Sequence, residues 1–126
     1  MDKILLIALG GAAGSVLRYG VTLLANEHGG TSYPYGTVLV NLIGSFFFGL
    51  LFVYFGNHAE IEPRYKLLLT TGLLGGFTTF STYTMELFSF LILHEEIGAG
   101  LSYLLLNVLG GFLLCWLGFA AGAAFF

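Results

Sequence analysis

The chain is short of charge. Of its 126 residues only four are Lys or Arg and seven Asp or Glu, for a formal net charge of −3. With no basic cluster to contact phosphates, nucleic acid is excluded as a natural partner. A single cysteine, Cys115, excludes an internal disulfide, and beside Trp116 in an apolar run it reads as a small packing residue. Prolines number two, and His28, His58 and His94 sit in separate connections with no metal-ligating spacing. Long polar stretches are also missing, so no soluble domain fits and the chain does not read as an enzyme.

What is present is apolar surface: 57% of residues are hydrophobic and the mean hydropathy is +0.91. A helix needs about 20 largely apolar residues to cross about 30 Å of hydrocarbon. The charges leave four such stretches, about 4–24, 36–55, 67–93 and 97–126. They predict an all-α membrane protein with a single four-helix transmembrane domain over 1–126. The start Met1-Asp2-Lys3 has the look of a signal peptide, but its apolar run continues too far. Lys3, Arg64 and Lys66 fall on one side, a weak bias that places the N-terminus in the cytoplasm.

Glycine is abundant, with nineteen copies, and recurs at four-residue spacing in Gly10/Gly14, Gly72/Gly76 and Gly118/Gly122. Small residues so spaced let membrane helices approach closely. Four short helices offer little interior of their own, so these faces predict self-association, most simply as a dimer.

Polar groups inside the spans each need a reason. On the second span Thr37, Asn41, Ser45, Phe48 and Phe52 share one face at 3.6 residues per turn, as packing glue or as a functional stripe. The fourth span repeats the pattern with Tyr103 and Asn107; Tyr103 suits an interfacial belt as well as a pore lining. Arg18 and Glu86 are the only ions within the spans. An intramembrane ion is a functional hypothesis by default. Arg18 favours anions at a watery entrance, unless it snorkels or serves a structural pair. Glu86 follows Thr79, Thr82 and Tyr83 at one-turn spacings; proton carriage, cation binding, pairing with Arg18 and a structural hydrogen bond are all open to it.

The third span departs furthest from a lipid-facing helix. Gly75-Gly76-Phe77-Thr78-Thr79-Phe80-Ser81-Thr82 joins free glycine to residues of weak helix preference. A break near 76–80 is expected, presenting free carbonyls on one half and free amides on the other, as in discontinuous transporter helices. Beyond it Phe80 and Tyr83 project from similar sides, and an aromatic edge is positive.

The segments GTVLVNLIGSF (36–46), GLLGGFTTFST (72–82), Arg18-Tyr19-Gly20 and YLLLNVLGGFLLCWLG (103–118) together resemble the Fluc (CrcB) family of fluoride channels, across nearly the whole chain. The resemblance implies an antiparallel, dual-topology homodimer in the bacterial inner membrane, with two fluoride pores and a structural Na+ at the interface. It implies passive fluoride export and fluoride resistance. On this sequence the backbone carbonyls of Gly75 and Thr78 from both subunits would hold the sodium. Phe80 and Tyr83 would turn ring edges to fluoride, Asn41 would give an amide donor, and Ser81 and Thr82 hydroxyl donors. Tyr103 and Asn107 would extend the pore lining, and Arg18 would stand near an entrance vestibule. Two positions depart from the family pattern: Tyr83 where phenylalanine is usual, adding a hydroxyl, and Asn107 where serine is usual, bulkier yet still a donor. A small multidrug exporter, with Glu86 as proton and drug site, is the competing reading; such exporters carry their carboxylate on the first helix, where this chain has Arg18. An accessory packing subunit leaves the polar third span unexplained.

Overall fold

The apolar segments are helical in the computed structural model, which describes residues 2–30 and 32–126. Met1, the first residue of the expected domain, lies outside the described residues. Helix α1 spans Asp2–Gly29, α2 Tyr35–Asn57, α3 residues 63–77, α4 residues 80–93 and α5 Ile97–Phe125. No strand occurs among the described residues. Helices α1, α2 and α5 are each long and apolar enough to cross a bilayer. The chain is thus an all-α, multi-pass membrane protein.

Helix α1 runs past the expected stop at 24, through Asn26-Glu27-His28 to Gly29. It ends where Gly30 adopts a φ of +77° and donates to the Asn26 carbonyl at 3.2 Å, a left-handed stop that glycine adopts without penalty. The polar residues at 26–28 therefore belong to the last turn and not to a loop. Pro63 opens α3, where its missing N–H costs nothing.

Helical geometry ceases after Phe77. Thr78 (φ −81°, ψ 160°) and Thr79 (φ −151°, ψ 120°) are extended, and helix resumes at Phe80. Glycine at 44 makes room for this: a Cβ there would overlap the Thr78 methyl. Three stretches, Leu68–Leu74, Ser89–Leu93 and Leu106–Gly110, have wider i→i+5 turns, a local irregularity that is frequent at functional sites. Asn107 stands in the last of them.

The glycine faces are used within the chain. Helix α1 lies backbone to backbone on α3: a Cβ on Gly10 would come within 2.9 Å of Leu73 N, and one on Gly76 within 3.0 Å of Gly11 Cα. Likewise α2 and α5 interlock, with Gly49 against the Cys115 and Phe119 backbone and Gly118 and Gly122 against Phe46, Leu50 and Val53. These faces, expected to favour self-association, are engaged within the chain, between α1 and α3 and between α2 and α5, where small residues let the backbones gain dispersion contact. A small aromatic core of Val38, Tyr83, Phe90 and Tyr103 joins α4 to α2 and α5, flanked by Tyr33.

Candidate functional site

Asn41 organises the gap between α3 and α4. Because Thr79 is extended, its N–H and C=O both point away from helix partners, and one amide side chain satisfies both. Thr79 N donates to Asn41 Oδ1 at 2.9 Å, while Asn41 Nδ2 donates to Thr79 O at 3.1 Å. Asn41 Nδ2 also donates to Asn107 Oδ1 at 2.9 Å, and Asn107 Nδ2 to the Tyr103 carbonyl at 3.0 Å. A second clamp comes from α1, where Arg18 Nη1 donates to the Thr78 carbonyl at 3.2 Å. Thr79 finally caps α4: its Oγ1 accepts from Thr82 N at 3.3 Å, the usual remedy for orphan N-terminal amides.

Two cavities meet at Thr79, which lines both. The larger, about 420 Å³, is lined by Asn41, Ser45, Phe48, Phe80, Tyr83 and Asn107, with Thr78 and Cys115 among its other walls. Its walls carry no Asp, Glu, Lys or Arg; amides, hydroxyls and rings predominate, beside the Cys115 thiol and Val108. Phe80 and Tyr83 stand 5.7 Å apart, centroid to centroid, with planes inclined by 49°. The smaller, about 310 Å³, is lined by Arg18, Tyr19, Thr22, Thr37, Thr82 and Glu86. Following the helices, the first cavity extends along α2 and α5 toward Phe48 and Cys115, and the second toward the opposite end, at Thr22 and Thr37.

The residues singled out in the sequence are thus divided. Asn41, Phe80, Tyr83 and Asn107 share the larger cavity; Arg18, Thr82 and Glu86 share the smaller. Ser81 lies in neither wall and is exposed on the chain, and the α2 stripe separates, Thr37 going to the smaller cavity. Tyr103 is wholly buried, 0% exposed, which removes the interfacial-belt reading, and it lines neither cavity. Its hydroxyl donates to the Glu86 carboxylate at 2.5 Å. Glu86 therefore has a structural partner on α5, and no ion pair joins it to Arg18 among the described residues.

Asn107 departs from expectation in a second way. One Nδ2 hydrogen of Asn107 goes to the Tyr103 carbonyl, which turns its Oδ1 toward Asn41, where it acts as acceptor. Cys115, expected as packing only, also reaches the larger cavity wall. The residue that sequence reading undervalued is Thr79. Its signal was its place two residues past the end of a glycine-weakened helix, where backbone groups fall free.

A structural cation would need hard oxygen ligands, and the end of α3 offers them. Thr79 N, the donor that would pair with the Gly75 carbonyl in a continuing helix, goes to Asn41 instead. Thr78 O already accepts from Arg18, but a carbonyl has a second lone pair. Carbonyl oxygens are ligands of the kind a hard cation takes; among the described residues no group of three or more His, Cys, Asp and Glu gathers that could hold a metal ion.

A family model described as CrcB-like protein, Camphor Resistance (CrcB), matches residues 5–119. The fluoride-specific ion channel FluC of Aquifex aeolicus (strain VF5) is 46% identical over 123 residues, 97% of this chain and 98% of the relative. That of Chloroflexus aurantiacus (strain ATCC 29366 / DSM 635 / J-10-fl) is 42% identical over 125 residues, 99% and 98% of the two chains. A third, from Nitratidesulfovibrio vulgaris (strain DP4), is 41% identical over 122 residues, 97% and 98% of the two.

Proposed function

Since the chain belongs to the CrcB-like family, we propose that it is a fluoride-selective channel that lets fluoride leave the bacterial cytoplasm passively across the inner membrane. The observation that carries this reading is the larger cavity, walled by neutral donors and rings around Asn41, Phe80, Tyr83 and Asn107. Fluoride is small and strongly hydrated, so its water must be replaced without trapping it. Weak donors in series meet both needs, since conduction requires favourable entry and easy exit. Asn41 supplies amide hydrogens, Phe80 and Tyr83 positive ring edges, and Thr82 a hydroxyl on the way to the Arg18 vestibule, where Tyr103 holds Glu86.

The working unit is an antiparallel, dual-topology homodimer with two pores. Support comes from α3 and α4, which leave Phe80 77% exposed and Gly75, Ser81 and Thr82 open as well. Lipid does not accept interrupted backbone and hydroxyls at its centre, so protein must cover them. Within the dimer the Gly75 and Thr78 carbonyls of both chains would hold a structural Na+, which supplies positive charge that ties the two interrupted helices together. The exporter alternative gains no support, since Glu86 is engaged by Tyr103.

Purified protein in liposomes tests the function. Fluoride efflux without matching chloride efflux is the expected result; equal permeation of both, or no flux, overturns it.

A further inference from the structure

The donors of Asn41 are fully committed. A backbone N–H only donates and a carbonyl only accepts, so two main-chain groups set the orientation of both amides. Thr79 N requires Asn41 Oδ1 on its side, and the Tyr103 carbonyl requires Asn107 Nδ2. Asn41 Nδ2 then meets Thr79 O at 3.1 Å and Asn107 Oδ1 at 2.9 Å. An amide NH2 has two hydrogens, and both are taken.

Resting on the fluoride-channel reading, we propose that Asn107 is a tethered competitor for the anion: its Oδ1 occupies one N–H of Asn41, and fluoride passes this level by displacing that oxygen. Both residues line the larger cavity and neither is fully buried, so an anion there reaches the shared hydrogen. The bond to Thr79 O is different in kind, because losing it also frees a main-chain carbonyl beside the interruption. Exchange is uphill for a poor acceptor and favourable for a compact anion, since hydrogen bonds to ions are roughly twice as strong as neutral ones. Once the anion moves on, the amide oxygen returns from contact distance, which speeds exit. Asn107 is thus a positioning residue that tunes both rate and discrimination at Asn41.

The test uses the full chain. In liposomes, Asn107→Ser, whose hydroxyl is too short to hold the Asn41 hydrogen, should raise fluoride efflux at low fluoride by about two- to tenfold, the weight of one net hydrogen bond. It should also lower fluoride-over-chloride selectivity. Unchanged flux and selectivity in a conducting background would overturn the competitor role alone; no fluoride flux from the wild type would overturn the channel reading beneath it. A second measurement stands even if that variant fails to fold. The chain has four asparagines and no glutamine, so its side-chain amide NMR spectrum is sparse. On titrating the wild type with sodium fluoride, the Asn41 proton facing Asn107 should shift and the one facing Thr79 should stay, with sodium chloride moving neither. Two unmoved protons under fluoride, or equal movement under chloride, overturn the proposal.

Discussion

Asn41 joins three partners through one side chain, two on the Thr79 backbone and one on Asn107. Asn41→Asp removes both N–H donors, and each buried group left unpaired costs about 1–3 kcal/mol. Fluoride efflux should therefore fall by more than about tenfold in this variant, while size-exclusion chromatography still shows the wild-type assembly; undiminished efflux would take Asn41 off the path. Phe80→Ile replaces a ring edge by aliphatic surface and should slow efflux to a similar degree in the same assay. For Tyr103→Phe the expectation concerns stability. Losing the hydroxyl leaves Glu86 without its donor, at a cost of about 1–3 kcal/mol, so the melting temperature in detergent should drop, and an unchanged one would deny the Tyr103–Glu86 bond its structural weight. The residues of this network were legible as types, since an amide or carboxylate inside an apolar span stands out. Their partners were not: Asn107 reads as a donor in the sequence, yet toward Asn41 it presents its acceptor oxygen because the Tyr103 carbonyl orients the amide the other way.

Helix α1 shows how glycine sets the spacing of elements. Gly14 has the Leu73 carbonyl and Phe77 N where a side chain would begin, whereas nothing lies within 4 Å of a Cβ on Gly20. Gly14→Leu should abolish monodisperse protein after extraction, and Gly20→Ala should leave yield and melting unchanged; a well-folded Gly14→Leu protein would contradict the α1–α3 contact. The cost arises because backbone on both sides leaves nothing flexible to yield. Local chemistry marked the region where α3 gives way to α4, through Gly75-Gly76 and the threonines, and the extended residues are Thr78 and Thr79. Why the interruption falls on those two is a matter of neighbours: Gly44 admits the Thr78 methyl, Asn41 takes both backbone groups of Thr79, and Arg18 takes the Thr78 carbonyl. None of these lies within 30 residues of the junction in the chain.

For the whole molecule, the exposed Phe80, Ser81 and Gly75 ask for a covering partner. If two copies share a sodium ion through Gly75 and Thr78, the cation should not exchange during conduction, and proven removal should disperse the dimer or stop flux; a fully active dimer without sodium would refute a structural role. The sequence by itself determined the number of apolar stretches, the helical class and the short list of polar residues, because hydropathy, glycine content and 3.6-residue periodicity are local properties. Only the tertiary structure decided which of those residues face one another. Asn41, Phe80, Tyr83 and Asn107 came to one cavity and Arg18, Thr82 and Glu86 to another, since that division depends on how each helix is rotated about its axis. Rotation follows from glycine contacts between α1 and α3 and between α2 and α5, and while the four-residue spacing of glycines marks a face of close approach, it does not say which helix that face meets.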